Sequence, residues 1–384
     1  GGKLKKHLFH SSVFTFIIFS AIIVLNFFIA HIENQEFIKY GFYLLNGLTV
    51  TLLYIHIFNN RGVDYFVKTL RVVLLILLFI SLANFMFGVL VGYGTLKSLP
   101  WWKGEYHEVQ HFSYLFFYDS EKHKYTIFGL DFVRNQGWFW EPGINQIYLN
   151  ILLYLEFFVF KRRNRLIIIL IVFSILTTFS TSGFIIMSIL LVAMYINSIV
   201  RYIVKGNPII IIGLSVSFLV PTYYIVQKVV IPNIINKTAG EKESSFQKRV
   251  FDLIQCPCIA ADHPFTGVGL DKEAFHNFRS SYQMKNNCKS ISNYLEDLTG
   301  LNFKTQSTDK GSSNSITGLM AKVGFPFSII LILFLFRQNL FNIRKRLFMS
   351  IVLISVFFEP VLLRPFFLIL IISGMISFFN RFTK

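Results

Sequence analysis

Few charged side chains lie beside the long apolar runs of this 384-residue chain, and they fall in four clusters. The first reads Arg134-Asn135-Gln136-Gly137-Trp138-Phe139-Trp140-Glu141-Pro142-Gly143-Ile144-Asn145-Gln146. Pro142 suits the first turn of a helix, and Glu141 before it sits at the positive end of the helix dipole. Glu141 is there either as a cap paired to Arg134 or as a proton acceptor facing an external cavity, with Asn145 and Gln146 as hydrogen-bond partners. The second cluster is TTFSTSG at residues 177–183, where hydroxyls such as Ser182 and backbone amides can line a site without adding charge. The third spreads along a polar stretch: Gln247-Lys248-Arg249, then HPFTGVGL at 263–270, then Ser312-Ser313-Asn314-Ser315 ahead of an apolar run. An arginine there can hold a phosphate through two parallel hydrogen bonds. The fourth, Glu359-Pro360-Val361-Leu362-Leu363-Arg364-Pro365, is a charged break between two apolar segments, either a turn closed by an ion pair or part of a site. Arginines with one or two carboxylates, and no metal-ligand spacing, suit chemistry on a phosphate-bearing lipid. A Walker loop, a Rossmann glycine pattern and an H-E-x-x-H helix are all lacking, so ATP-driven transport, dinucleotide chemistry and zinc proteolysis have no support.

The elements that position these clusters follow from composition. With 54% hydrophobic residues, 15% charged residues and 45 Phe, the chain carries more apolar surface than a water-soluble core can hide. Runs near 8–30, 41–58, 70–92, 144–160, 166–179, 184–200, 208–230, 315–336, 347–361 and 365–380 approach the roughly 20 residues that span a bilayer as a helix. The opening Gly1-Gly2 reads as a tag remnant, and the apolar run that follows is too long for a cleaved signal and is expected to stay as a helix. A net charge of +17 could suggest nucleic acid, but its placement argues for lipid. If the N-terminus is cytoplasmic, the inside connections hold 18 Lys and Arg, among them Arg71 and the KRRNR stretch, against the single acid Asp64. That is the positive-inside pattern at every loop, and one missed helix would invert it. The expected fold is an all-α polytopic membrane protein of about ten transmembrane helices, with both termini cytoplasmic. One transmembrane domain, residues 1–384, carries two long extracytoplasmic segments at 93–143 and 231–314.

Charges in those two segments nearly cancel: five Lys/Arg against six Asp/Glu in the first, ten against nine in the second. The first is rich in aromatics, among them Trp101, Trp102, Trp138 and Trp140, which suits interface anchoring or stacking on sugar rings. Cys256, Cys258 and Cys288 all fall in the second, where an oxidising compartment permits one disulfide and leaves one thiol over.

At these residues the chain resembles the O-antigen polymerase family, membrane enzymes that join lipid-linked oligosaccharide repeats on the outer face of the bacterial inner membrane. The resemblance rests on RNQGWFWEPGINQIYLNI, the STSGF turn, Arg249 through HPFTGVGL to SSNSITGLMAKVGFP, and EPVLLRPFF, in that order over most of residues 130–367. It implies a GT-C-like, metal-independent and cofactor-free glycosyl transfer between two polyprenyl (undecaprenyl) diphosphate substrates, with the site facing the periplasm. A chain-length regulator is a further possible partner, and nucleic acid is not one. Under this resemblance Arg249, with Arg134 or Arg364, holds the diphosphate, and Glu141 or Glu359 receives the proton. Asn145, Asn314, His263 and Ser182 are expected to bind substrate. The related ligases often carry His where this chain reads Asn314, so no base can be copied there, and His263 or His276 is the substitute. An O-antigen ligase is the first rival reading. A transporter of the same lipid-linked sugars is the second, and it would favour repeated halves with broken helices, which the sequence does not show.

Overall fold

A computed structural model describes residues 6–33, 35–91, 97–103, 108–112, 116–118, 124–127, 130–160, 164–203, 223, 227, 243–282, 289–290, 293–294 and 312–381. The chain divides into two compact units, one built from Gly1–Lys68 and Lys242–Lys384, the other from Thr69–Glu241. The protein is mainly helical. Among the described residues four helices are long and apolar enough to cross a membrane: α1 (Lys6–Ile29), α2 (Phe37–Asn60), α3 (Gly62–Val91) and α9 (Ser315–Phe336). Five more helices occupy expected runs: α4 (Pro142–Tyr154), α5 (Arg165–Thr177), α6 (Thr181–Ile203), α10 (Lys345–Phe358) and α11 (Pro365–Phe379). The expected run at 208–230 lies outside the described residues except for Tyr223 and Gln227. Two amphipathic helices, α7 (Glu243–Asp262) and α8 (Lys272–Ser281), belong to the second long segment.

An all-helical fold omits one feature. Residues 97–133 contain five short strands: β1 (Lys97–Lys103), β2 (Glu108–Phe112), β3 (Phe116–Tyr118), β4 (Lys124–Ile127) and β5 (Leu130–Val133). The first three form an antiparallel sheet in the order β1-β2-β3, and β4 pairs with β5. Phe, Tyr, Trp, Val and Ile favour extended backbone, so the aromatic content that suggested an interface anchor also favours strands. Pro100 has no N–H to give the ladder, and the β1–β2 register shifts between Ser98 and Lys103.

In the first unit α11 is the central helix, with every residue from Phe367 to Ile376 buried. Its sequence is apolar all round, as a fully enclosed helix requires. It packs on α1, α2 and α9. Gly374 permits the last contact, because a Cβ there would fall 1.9 Å from the Phe334 carbonyl oxygen.

α9 itself is interrupted. Gly324 has φ +77° and ψ 172°, and Pro326 follows. Pro326 has no N–H for the Lys322 carbonyl, and the Phe325 N–H donates to Pro264 O (2.7 Å) instead of to Ala321. The HPFTGVGL loop takes up both orphaned carbonyls: Val268 N–H donates to Ala321 O and Gly269 N–H to Lys322 O, each at 2.9 Å. The Asn26 side chain, buried in α1, donates to Lys322 O (3.0 Å) and Thr266 O (2.8 Å). The chain after α1 lies along the loop, His31 N–H donating to Gly267 O and Ile32 N–H to Val268 O. Glycine is obligatory at this crossing, since a Cβ on Gly267 (φ +64°) would meet the Lys322 carbonyl carbon at 2.4 Å and one on Gly324 would meet that of Phe265 at 2.5 Å.

Asp271 closes the loop. One carboxylate oxygen caps α8 by accepting from Glu273 and Ala274 N–H, and the other accepts from Glu36 N–H (3.0 Å). Burial alone would raise the Asp271 carboxyl, but the Glu36, Ala274 and Glu273 amides and the Lys39 ammonium hold it below its ordinary value. Cys258 is disulfide-bonded to a residue outside the described ones, while Cys256 is a free thiol in the core whose titration burial pushes up. One disulfide and one spare thiol match the cysteine count.

The second unit centres on α4, buried at every position but Tyr148 and packed by α5 and α6. Its last turn widens into a π-helical segment, Leu155–Val159.

Gly324→Val should lower stability by on the order of 3 kcal/mol or more through strain and overpacking. Gly41→Ala, with open space around the added methyl, should leave thermal unfolding in detergent unchanged. The Asp271 contribution is present in full above the ordinary carboxylate value near 3.8 and is lost as pH falls through its lower folded value. Acid melts should therefore show a drop below about pH 4 that Asp271→Asn flattens.

Candidate functional site

In the first unit the turn between α10 and α11 is fixed by one hydroxyl. Ser315 Oγ, at the start of α9, donates to Glu359 O (2.6 Å) and accepts from Val361 N–H (2.7 Å) and Leu362 N–H (3.1 Å). Arg249, on α7, donates from Nη1 to Phe358 O and from Nη2 to Glu359 Oε1 (3.4 Å). Glu359 is almost fully buried, whereas the Arg249 side chain is 36% exposed. Two of the five guanidinium N–H groups are thus engaged, and the others remain for an anion reaching the exposed side. Arg364 caps α11 through its backbone, and its charge acts on Tyr43 of α2. The sequence-expected pair Arg249 and Glu359 is therefore brought together, with Asn314 and Arg364 in the adjoining segments.

Asn314 has a defined task. Its Oδ1 caps α9 by accepting from Ile316 N–H (2.7 Å) and Thr317 N–H (3.0 Å). Its Nδ2 is buried and makes no hydrogen bond. His263 lies elsewhere in this unit, stacked on His31 with ring centroids 4.1 Å apart and edge-on to Phe278. A cavity of about 390 Å³ beside His31 and Phe278 is also lined by Asn277 and Ser281. His276 is in α8 with a buried Nδ1 that has no hydrogen bond.

Sequence reasoning missed Arg279 and Asp252. They form a fully buried ion pair at 2.5 Å, with Gln255 accepting from Arg279 Nε (2.7 Å) and Asp252 accepting from Ser313 N–H (2.7 Å). This set ties α7, α8 and the approach to α9 together, so it holds Asn314 and Ser315 in place. A buried arginine demands a carboxylate, which was the available signal, but its partner lies 27 residues away.

The other expected residues belong to the second unit. Glu141 precedes α4 as its cap residue, yet its side chain makes no capping hydrogen bond. Arg134 donates from Nε to Thr178 O (3.1 Å). Asn145 donates to Ser81 Oγ (2.9 Å), and Ser182 bonds Ser180 (3.0 Å) and accepts from Gln146 (3.3 Å). Asn145 and Ser182, expected to bind substrate, are thus engaged in a buried network that joins α3, α4, α5 and the 177–183 turn. Asn135 anchors that network through Ser81 O, Ser81 Oγ and Thr177 Oγ1, at 2.9–3.0 Å. The turn is strained: Phe179, a buried non-glycine residue, has φ +48°. Gln136 differs from its neighbours. It is 1% exposed, and neither Nε2 nor Oε1 has a hydrogen-bond partner, a burial that costs about 1–3 kcal/mol per group.

Glu156 was also missed. It is fully buried in the π-helical segment and bound by Arg71 through Nε (2.5 Å) and Nη2 (3.2 Å), with Arg71 over the Phe160 ring. A lone Glu inside an apolar run signals a hidden cationic partner. It lies 15 residues beyond Glu141, about 22 Å along the helix. Among the described residues no group of three or more His, Cys, Asp or Glu could hold a metal ion.

Residues 166–296 match the family model described as O-antigen ligase (Wzy_C). The matched stretch, about a third of the chain, is what it has in common with that family model, and it runs from α5 through α6 and α7 to beyond α8. No curated protein and no solved structure gives a significant match to the chain.

Replacing Arg249 by Ala should cost less stability than replacing Arg279, because solvent reaches the Arg249 side of its pair whereas both members of the Arg279 pair are enclosed. Arg279→Ala should cost about 3–5 kcal/mol by leaving Asp252 charged and buried. Equal melting losses for the two variants would contradict this division.

Proposed function

We propose that the protein is a metal-independent O-antigen polymerase of the bacterial inner membrane. It moves a growing glycan from a polyprenyl diphosphate to a new polyprenyl-diphosphate-linked repeat unit on the periplasmic face. Both termini and the basic short loops then lie in the cytoplasm, about ten helices span the membrane, and the long segments lie outside. The observation that carries the reading is Arg249. Its guanidinium is anchored by Phe358 O and Glu359 and still offers N–H groups on its exposed side, which suits a diphosphate.

In the transfer, an acceptor hydroxyl oxygen bonds to the donor's anomeric carbon while the bond from that carbon to the phosphate oxygen breaks. The lipid diphosphate leaves with the electron pair, stabilised by Arg249 with Arg364. The hydroxyl proton passes to a carboxylate, Glu359 or Glu141. Asn314 supports polymerase over ligase. Where ligases often carry His, this chain has a side chain whose only acceptor atom is spent on capping α9 and whose nitrogen can only donate. Ligation onto a lipid A core is the second reading, favoured by the matched family's description. The transporter reading loses ground because the interruption of α9 is filled by the 263–270 backbone.

Purified protein given polyprenyl-diphosphate-linked repeats should produce a ladder of lengthened glycans, with full activity in chelator. Arg249→Ala should lose on the order of 100-fold in rate, as should Gln at whichever of Glu141 and Glu359 takes the proton. A single product made only when a lipid A core is added would establish ligation instead. Wild-type rates in all three variants would refute the site.

A further inference from the structure

We infer that Gln136 is a sugar-reading residue of the second unit, its carboxamide taking a neighbouring pair of ring hydroxyls on the lipid-linked glycan. The inference rests on the proposed substrate class and deepens it. Each amide around Gln136 makes at least one hydrogen bond: Asn135 bonds Ser81 and Thr177, Asn145 bonds Ser81, Gln146 bonds Gly143 O and Ser182, and Asn150 bonds Gln146. Gln136 alone among them is buried with both polar atoms unpaired. Buried polar groups in native proteins nearly always have partners, so an amide with neither atom engaged points to a partner from outside the chain.

The position is fixed without help from the side chain. Asn135 N–H donates to Thr177 O (2.9 Å), Phe139 N–H donates to Gln136 O (3.1 Å), and Gly137 N–H donates to Asn135 Oδ1 (3.1 Å). Gly137 turns the chain at φ +58°, and a Cβ there would press on the Asn145 amide at 3.1 Å. The backbone thus locks the residue without calling on its amide, as a preorganised contact requires.

The chemistry selects the ligand. A carboxamide offers a donor and an acceptor in one plane, which matches two adjacent hydroxyls, each able to give and accept. It suits neither a phosphate, which the carbonyl oxygen repels, nor an acyl chain. Arg134, two residues before it, supplies the cationic contribution separately.

The test uses the full-length protein in liposomes and two probes, bare polyprenyl diphosphate and the same lipid bearing one repeat unit. Gln136→Met removes the amide at nearly constant volume. It should weaken binding of the sugar-bearing lipid roughly tenfold, one or two hydrogen bonds' worth, and raise KM similarly with kcat little changed. Binding of the bare lipid and the melting temperature should stay at or above wild type. Wild-type affinity for the sugar-bearing lipid in Gln136→Met would overturn the inference while leaving the proposed function standing. Equal weakening for both probes, or a lowered melting temperature that Gln136→Asn restores without restoring affinity, would assign a structural role and overturn it too. If the wild-type protein binds neither probe, the proposed function fails and this inference with it.

Discussion

The first unit depends on how two orphaned carbonyls inside an apolar helix are satisfied. A helix in lipid cannot leave Ala321 O and Lys322 O unbonded, and Pro326 makes the regular partner of one of them impossible. The 263–270 loop supplies the missing donors from its own backbone, and Asn26 adds a side-chain donor. The exchange costs three glycines placed where any Cβ would collide. In return, a segment of the long polar loop becomes part of the membrane helix bundle, and α7 and α8, which flank it, are registered against the start of α9.

Charge follows a consistent rule in both units. Where an ion pair is fully enclosed, as with Arg279–Asp252, it is completed by further hydrogen bonds from Gln255 and Ser313. Where one partner reaches the surface, as with Arg249 and Arg71, the buried member is the carboxylate. Burying an arginine is tolerable only with every donor used, because its guanidinium cannot shed its proton. Arg249 is therefore distinguished from Arg279 by its unused donors rather than by its type, and that distinction is the reason Arg249 is proposed as a substrate contact while Arg279 serves as a brace.

Much of the helical layout was legible because an apolar run of sufficient length has few alternatives in lipid. Helix starts were equally plain: Glu141-Pro142 and Arg364-Pro365 put proline in the first turn of α4 and α11. The strands of residues 97–133 were hidden because Trp, Phe and Tyr read as readily for an interface as for a sheet. The ordered motifs HPFTGVGL and KVGFP were visible as strings, but not that they interlock, since a glycine's neighbour is a tertiary fact. Arg249 and Glu359 stood out by residue type in separate clusters, but their direct contact across 110 residues did not. Asn145 and Ser182 were expected to bind substrate, yet the structure spends them on holding the turn, and Gln136 beside them holds the unspent amide.

Asn314 shows how one hydrogen-bonding choice constrains a mechanism. A histidine at this position could cap a helix or accept a proton; asparagine, with its one oxygen accepting from Ile316 and Thr317 N–H, can do only the first. The next residue, Ser315, holds the backbone of Glu359 through the same helix start. Removing the base from 314 thus leaves the helix end intact and keeps a carboxylate attached to it. In the proposed transfer, where residue 314 is no base, the Ser315–Glu359 link is the feature that places a carboxylate where α9 begins.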